Sequence, residues 1–451
     1  MPKTAATVSV APPGDALDVA GFIDSQPIGR FQIGVLLLCA AVLFIDGFDT
    51  QAIGYVAPAL AREWNLPRGA LGPVFSAGLF GLMIGALIFA PVADRIGRKI
   101  IIVLATVAFG VGTLITIFAP DVYWLIALRF LTGLGLGGAM PNAVALTAEL
   151  SPFRRRATLV MAMFCGFSVG AGLGGLLAAA LIPIYGWRSI FLIGGIAPLI
   201  YAPFLARLLP ESVRFLAVTG RDNVRLGQLL TRLAPTARFS PDTRFGVHEP
   251  KLRGIPVAHL FGQGRTLTTL LFWVVFFMSL LDLYLLANWL PTILNDLGAT
   301  ISMAAAIGAM LQVGGVIGTF TLGSFIDRFS FRALALTYLV AAIAIAAIGF
   351  SGHAIALVTF VIFCAGFSIV GGQTASNALA ATYYPTAIRS TGVGWALGIG
   401  RIGSIVGPLI GGVMMSNHVG VEALFLTAAI PALCACLAAL ALGRIAVRTT
   451  P

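Results

Sequence analysis

Twelve stretches of this chain are too long and too apolar to belong anywhere but in lipid. They run over roughly 31–57, 70–93, 100–119, 122–147, 157–182 and 188–209. After a polar interval they resume at roughly 266–291, 301–326, 333–351, 354–379, 391–415 and 421–442. A spanning helix needs about 20 apolar residues, so each stretch predicts one membrane crossing. Of the 451 residues 59% are hydrophobic and 10% charged, far too little polar surface for a soluble domain of this size.

A formal net charge of +11 raises the question of a nucleic-acid partner, and the position of the charge answers it. With the N-terminus placed inside, 23 of the 28 Lys and Arg residues fall on inner segments. Three lie on outer loops (Arg62, Arg68, Arg188) and two within spans (Arg129, Arg401). That asymmetry follows the positive-inside rule. The basic balance therefore reports orientation, and no nucleic-acid partner is expected. The first 30 residues lack a long apolar run and do not read as a signal peptide, so both termini are expected on the cytoplasmic side. The five cysteines (Cys39, Cys165, Cys364, Cys434, Cys436) all fall in apolar spans without metal spacing and are expected to pack.

The chain also repeats itself. A shift of 233 residues places Asp49 on Asp282, Pro58 on Pro291, Asp94-Arg95 on Asp327-Arg328, Gly133 on Gly366 and Pro152 on Pro385. The same shift places Arg156 on Arg389, Gly170 on Gly403 and Gly174 on Gly407. One ungapped offset serves the first five spans of each half. Six spans per half return the chain to the same side, so the halves are parallel repeats about an axis along the membrane normal. The expected fold class is all-α and polytopic, with twelve transmembrane helices in two six-helix halves. The expected division is a cytoplasmic tail at 1–30, a first half at 31–209, a cytoplasmic linker at 210–265, a second half at 266–442 and a tail at 443–451. A short helix is expected near Asn223–Leu233. Two halves around a central site imply alternating access by rocking. Gly81/Gly85, Gly170/Gly174, Gly314/Gly318 and Gly403/Gly407/Gly411 are spaced for close helix contact, although general packing accounts for most of the 53 glycines.

Ionisable residues within spans are costly and mark function by default. Asp46 and Asp49 are three residues apart in span 1 and share a helical face. Two carboxylates together in a low dielectric resist double ionisation, which suits a proton carrier. Capping of a helix broken at Gly47 is the bland alternative. Arg129 in span 4 is the natural partner of either Asp, as a coupling pair or as a static bridge. Arg401 lies deep in span 11, where its forked guanidinium suits a carboxylate ligand. A bridge from Arg401 to Asp282 competes with that reading, and the two roles are left open. Tyr284, Asn288, Gln373 and Asn377 are expected to face a cavity, or else to bond between helices. Phe48, Phe164 and Phe167 are candidates to stack on a ring, against a background of 31 Phe. The four His (248, 259, 353, 418) fall in loops, and the six Trp are expected mostly at an interfacial belt.

The inner loops carry a motif. Ala90-Pro-Val-Ala-Asp94-Arg95-Ile-Gly97-Arg98-Lys99 resembles the Gly-x-x-x-Asp-Arg-x-Gly-Arg-Lys signature of the major facilitator superfamily, with Ala90 at the first glycine. The second half keeps Gly323 and Asp327-Arg328 but has Ser330 and Phe331 in place of Gly97 and Arg98. Leu125-x-x-x-Arg129-x-x-x-Gly133-x-Gly135 is similar to the fourth-span motif of the same superfamily. The run Asp46-Gly-Phe-Asp49-Thr, with Pro210-Glu211-Ser212-x-Arg214-Phe-Leu and Asn288-Trp-Leu-Pro291, narrows the resemblance to its aromatic acid:proton symporter family. That family takes up compounds such as 4-hydroxybenzoate, protocatechuate, benzoate, gentisate and muconate. The resemblance implies proton-coupled uptake of a small aromatic carboxylate across a bacterial inner membrane, with the proton as coupling ion; no cofactor is expected, and nothing in the sequence requires more than a monomer. It implies a proton-coupling set of Asp46, Asp49 and Arg129. It also implies an inner gate of Asp94, Arg95, Gly97, Arg98, Glu149, Arg156, Asp327, Arg328 and Arg389, with Glu149 expected to pair with Arg154–Arg156.

Rival readings remain on the same fold. A sugar porter needs many amides and few buried cations, and a cation exporter would not tolerate Arg401. A sensor usually adds a long tail, where about nine residues follow span 12 here. An enzyme needs a nucleophile, metal or acid–base set, and no such cluster stands out in this chain.

Overall fold

The computed structural model describes residues 17–220, 222–239, 243–246, 256–262, 264–352, 354–385 and 388–449. Twelve long helices carry the apolar runs. In the first half they are α1 (Arg30–Glu63), α2 (Leu71–Ile96), α3 (Arg98–Thr116), α4 (Val122–Glu149), α5 (Phe153–Tyr185) and α6 (Arg188–Leu208). In the second half they are α7 (Thr266–Asp296), α8 (Ile301–Phe329), α9 (Phe331–Phe350), α10 (Ile355–Tyr383), α11 (Arg389–Ser416) and α12 (Val421–Thr449). All twelve meet the length and hydropathy needed to cross a membrane. Several run past their apolar stretch: α1 continues to Glu63 and α7 to Asp296, each through a proline, Pro58 and Pro291, that does not end the helix.

The turns use the residues such turns require. Gly97 joins α2 to α3 at a φ of 105°, and Gly298 follows α7 at 97°, both in territory that favours glycine. Ser330, which occupies the position of Gly97 in the second half, takes a φ of 50° with a ψ of −128°, a strained choice for a residue with a Cβ.

The 233-residue repeat survives down to single backbone atoms. A Cβ on Gly81 or Gly85 would strike the carbonyl oxygens of Phe130 and Leu134. A Cβ on Gly314 or Gly318 would strike those of Phe363 and Phe367, the same positions shifted by the offset. Gly133 closes on the Gly78 carbonyl and Gly366 on that of Leu311. Gly170 closes on Phe44 and Gly403 on Phe277. Small residues let α2 meet α4, α8 meet α10, α1 meet α5 and α7 meet α11 at backbone distance. The offset also carries Arg188, the first residue of α6, onto Val421, the first of α12, so it extends to the sixth helix as well.

Between the halves, α5 packs on α8, α2 on α11 and α1 on α7. The offset exchanges the first two contacts and leaves the third in place, as an axis running between α1 and α7 requires. One end of the bundle is tied by polar contacts across the halves. Arg68 pairs with Asp296 at 2.9 Å, Arg62 donates to Asn295 at 3.1 Å, and Ser302 donates to the Ala179 carbonyl at 2.6 Å. Nearby, Gly72 and Gly412 meet backbone to backbone. At the opposite end, rich in arginine, Arg389 of α11 lies over the Phe153 ring of α5 at 5.5 Å.

The tail and linker form a collar on the first half at the arginine-rich end. Short helices Val19–Ser25, Val213–Thr219 and Asn223–Leu233 pack there, and Leu17–Asp18 pairs in parallel with Phe245–Gly246. Phe22, Phe239 and Phe245 stack edge on edge within it, and Asp24 accepts the Phe153 amide at 2.7 Å, capping α5. Trp289 departs from the interfacial expectation. It is fully buried, donates to the Pro408 carbonyl at 2.9 Å and meets Phe75 edge-on, because α2, α7 and α11 converge on it.

Candidate functional site

α1 runs unbroken through Gly47, which meets the Phe167 carbonyl of α5, so neither Asp46 nor Asp49 caps a helix break. Both aspartates have zero exposure. Asp49 is fully partnered. One oxygen accepts Arg129 Nη2 at 2.7 Å and the other accepts the Thr113 hydroxyl at 2.7 Å. Arg129 also lies over the Phe191 ring at 5.5 Å, while its Nη1 has no hydrogen-bond partner. Three helices, α1, α3 and α4, thus converge on one buried ion pair. Asp46 is different. Its Oδ1 accepts Thr50 at 2.9 Å, and its Oδ2 has no partner. The cation whose charge acts on it is Arg401, from the other half.

Arg401 sits between the halves. Nη1 donates to the Tyr284 hydroxyl at 3.2 Å and Nη2 to the Met140 sulfur of α4 at 3.3 Å. Neither is a strong acceptor for a guanidinium, so its fork is only weakly engaged. Among the described residues Arg401 makes no ion pair with Asp282, so the expected bridge is not what holds it. Tyr284 takes its place because α7 presents the Tyr284 hydroxyl to α11.

Asp282 lies in the second half, 1% exposed, with Oδ1 unpartnered. The Tyr338 hydroxyl is within electrostatic range of it and shares a hydrogen bond with Ser376 at 3.1 Å. Both amide atoms of Gln373 and the Asn377 Oδ1 are also buried without partners. Asn288, by contrast, donates to the Tyr284 carbonyl one turn back on its own helix, where Gly54 of α1 closes against α7. Phe48 is 5% exposed and packs on Gly174 and Gly194 inside the first half, so it does not present its ring to a space between the halves. Thr113, Met140, Ser279 and Tyr338 escaped the sequence reading. A shift of 233 residues pairs Met140 with Gln373, and that correspondence would have flagged one of them.

Of the gate residues, Asp94, Arg98 and Glu149 form one network, which the linker residues Glu211 and Ser212 complete. Arg98 pairs with Glu149 at 2.8 Å and with Asp94 at 3.4 Å, and Asp94 is largely exposed. Glu149 also accepts the Ser212 hydroxyl. Glu211 accepts the amides of Arg98 at 2.8 Å, Lys99 at 3.1 Å and Ser212 at 2.9 Å, capping α3. Glu149 was expected to meet Arg154–Arg156 and meets Arg98 instead, because Arg154 and Arg155 point outward. Arg156 donates to the Ser151 carbonyl at 3.5 Å and lies over Phe153, the ring that also receives Arg389. Arg95 is exposed, and so is Arg328, which lies over Phe329. The Asp327 side chain, His248 and His353 lie outside the described residues. His259 lies in the short 3-10 helix Pro256–Leu260 and His418 in the turn after α11. No group of three metal-ligating side chains occurs among the described residues.

Two symmetric six-helix halves enclosing buried charge define a membrane carrier. The chain belongs to the Major Facilitator Superfamily, whose family model matches residues 39–260 and 272–450. It is a transporter and not an enzyme. It is 44% identical to the gallate transporter of Pseudomonas putida, over 98% of each chain. It is 42% identical to the 4-hydroxybenzoate transporter PcaK of Pseudomonas aeruginosa, over 96% of this chain and 97% of that one. Among solved structures, the partially occluded inward-open xylose transporter XylE from E. coli shares the fold. Its TM-score is 0.71 at 17% identity, covering 94% of this chain and 98% of that one.

Proposed function

We propose that this protein imports an aromatic carboxylic acid together with protons across a bacterial cytoplasmic membrane, with its arginine-rich end inside. The observation that carries this reading is Arg401: a guanidinium between the two halves, weakly engaged, within electrostatic reach of a buried carboxylate that has a free oxygen. The names of its relatives supply the ring, since a gallate and a 4-hydroxybenzoate carrier each handle an aromatic acid.

The arrangement links substrate to proton. A substrate carboxylate binding bidentately to Arg401 withdraws that cation from Asp46. Asp46, buried and left without its counter-charge, then takes a proton. Asp49 and Arg129 couple that event to the packing of α1, α3 and α4, on which the rocking of the first half depends. Importing one carboxylate against an inside-negative potential costs about 2.3 kcal/mol per 100 mV, and one co-transported proton cancels that electrical cost. In that orientation the ties at Arg68–Asp296 and Ser302–Ala179 join the halves at the outer end, which supports reading this conformation as one on the inward side of the cycle.

The test is uptake by purified protein in proteoliposomes with an imposed inward proton gradient, using labelled 4-hydroxybenzoate, gallate, benzoate, muconate and xylose. Acid uptake that collapses with a protonophore is the expected result. Uptake of xylose alone, or of no acid under any gradient, would discard the reading and leave the fold intact.

A further inference from the structure

The two halves match residue for residue, yet they treat their buried carboxylates differently. In the first half α1, α3 and α4 supply Asp49, Thr113 and Arg129. The 233-residue offset carries these three positions to Asp282, Ala346 and Ile362 on α7, α9 and α10. The carboxylate is kept and the cation is lost. Ile362 is fully buried apolar bulk where Arg129 stands. Asp282 is nonetheless as deep as its counterpart, at 1% exposure.

Among the described residues Asp282 makes no ion pair, and its Oδ1 has no hydrogen-bond partner. The Tyr338 hydroxyl of α9 is within electrostatic range of it and is hydrogen-bonded to Ser376 of α10. Arg401 of α11 turns to Tyr284 and Met140. On α1, Asp46 and Asp49 are engaged in the first half. The charged side chains of α8 and α12 lie near their ends, and α10 carries none. An ionised carboxylate without a counter-charge is not tolerated at such depth, whereas a protonated one is. Phenol and alcohol groups suit the neutral acid, which both donates and accepts.

Polar side chains continue from Asp282 toward the arginine-rich end. Ser279 lies about one turn away in that direction, and Gln373 and Asn377 lie in the half of α10 that leads there. The Gln373 amide atoms and Asn377 Oδ1 are buried without hydrogen-bond partners, the kind of atom that transient water would bond.

We propose that Asp282 is a second proton carrier, so that each carboxylate crosses with two protons and import is electrogenic. This rests on the importer reading above and adds its stoichiometry. The proton comes from water on one side, rides on the carboxyl group through the crossing and leaves to water on the other. Two protons with one monovalent anion move one net positive charge inward per cycle.

The experiment is a reversal-potential measurement on the full chain in proteoliposomes, with 4-hydroxybenzoate and gallate as substrates. The native protein is expected to give two protons per substrate. Asp282→Asn keeps the shape of the neutral acid, and it is expected to give one proton per substrate, with uptake still driven by a pH gradient and no substrate-induced current. Asp282→Ser serves as a second neutral variant should the amide not fold, and Asp282→Glu is expected to retain the native ratio. A native ratio of one, or a neutral variant that still transports with two protons, would overturn the proposal. No acid uptake by the native protein would instead strike the importer reading itself.

Discussion

At the scale of single residues, the division of labour between Asp46 and Asp49 follows from their partners. Asp49 is satisfied by Arg129 and Thr113, while Asp46 keeps a free oxygen. Asp49→Asn is therefore expected to abolish proton-driven uptake but to spare substrate exchange, measured as counterflow in the same vesicles. Loss of exchange together with binding would make Asp49 a ligand or a structural group. Arg129→Ala strands a fully buried carboxylate and is expected to destabilise the protein by about 3–5 kcal/mol. Asp49→Asn introduced alongside it should recover much of that loss in a thermal-shift assay. Arg401→Ala is expected to weaken binding of carboxylates by tenfold or more while barely affecting their neutral amides, and equal losses for both would exclude the carboxylate-receptor role.

At the scale of elements, the glycine contacts and the turns carry the fold. A side chain at Gly403 would drive α11 off the Phe277 carbonyl of α7, and Gly403→Leu is expected to cost at least about 1–3 kcal/mol, the range for overpacked sites. Ser330 offers the opposite case. Its positive φ stands where the first half uses Gly97, so Ser330→Gly should stabilise the protein by about 1 kcal/mol, seen as a raised melting temperature with transport unchanged. The spans, the repeat and the Asp-Arg turn were legible beforehand, because hydropathy and spacing are linear properties of the chain. The collar was legible only in part. A helix at Asn223–Leu233 follows from local sequence, but the pairing of Leu17–Asp18 with Phe245–Gly246 depends on contacts more than 200 residues apart.

At the scale of the molecule, polar pairs tie the two halves at one end of the bundle. Arg68–Asp296 is partly exposed, and such a pair contributes about 0.2–1 kcal/mol. Arg68→Ala is therefore expected to shift the inward-to-outward ratio by no more than a few fold toward outward-facing molecules. Distances between spin labels at the Glu63 end of α1 and the Asp296 end of α7 would report it, and an unchanged distribution would remove the pair from the gate. The Arg98–Glu149–Ser212–Glu211 network joins the first half to the start of the linker and reaches no residue of the second half. It braces that half as a body rather than tying it to the other in this conformation.

The sequence by itself determined the membrane class, the twelve helices, the twofold repeat and the buried charges. Each of these depends on the solvent a segment requires or on periodicity along the chain. Only the tertiary structure decided which charges meet. That Arg129 takes Asp49 and leaves Asp46 with a free oxygen, that Arg401 passes over Asp282 for Tyr284, and that Phe48 turns into the first half all depend on how helices are rotated against one another. That rotation is set by backbone contacts at a few glycines and by side chains from distant helices. A linear pattern records that a charge is buried but not the direction from which its partner arrives.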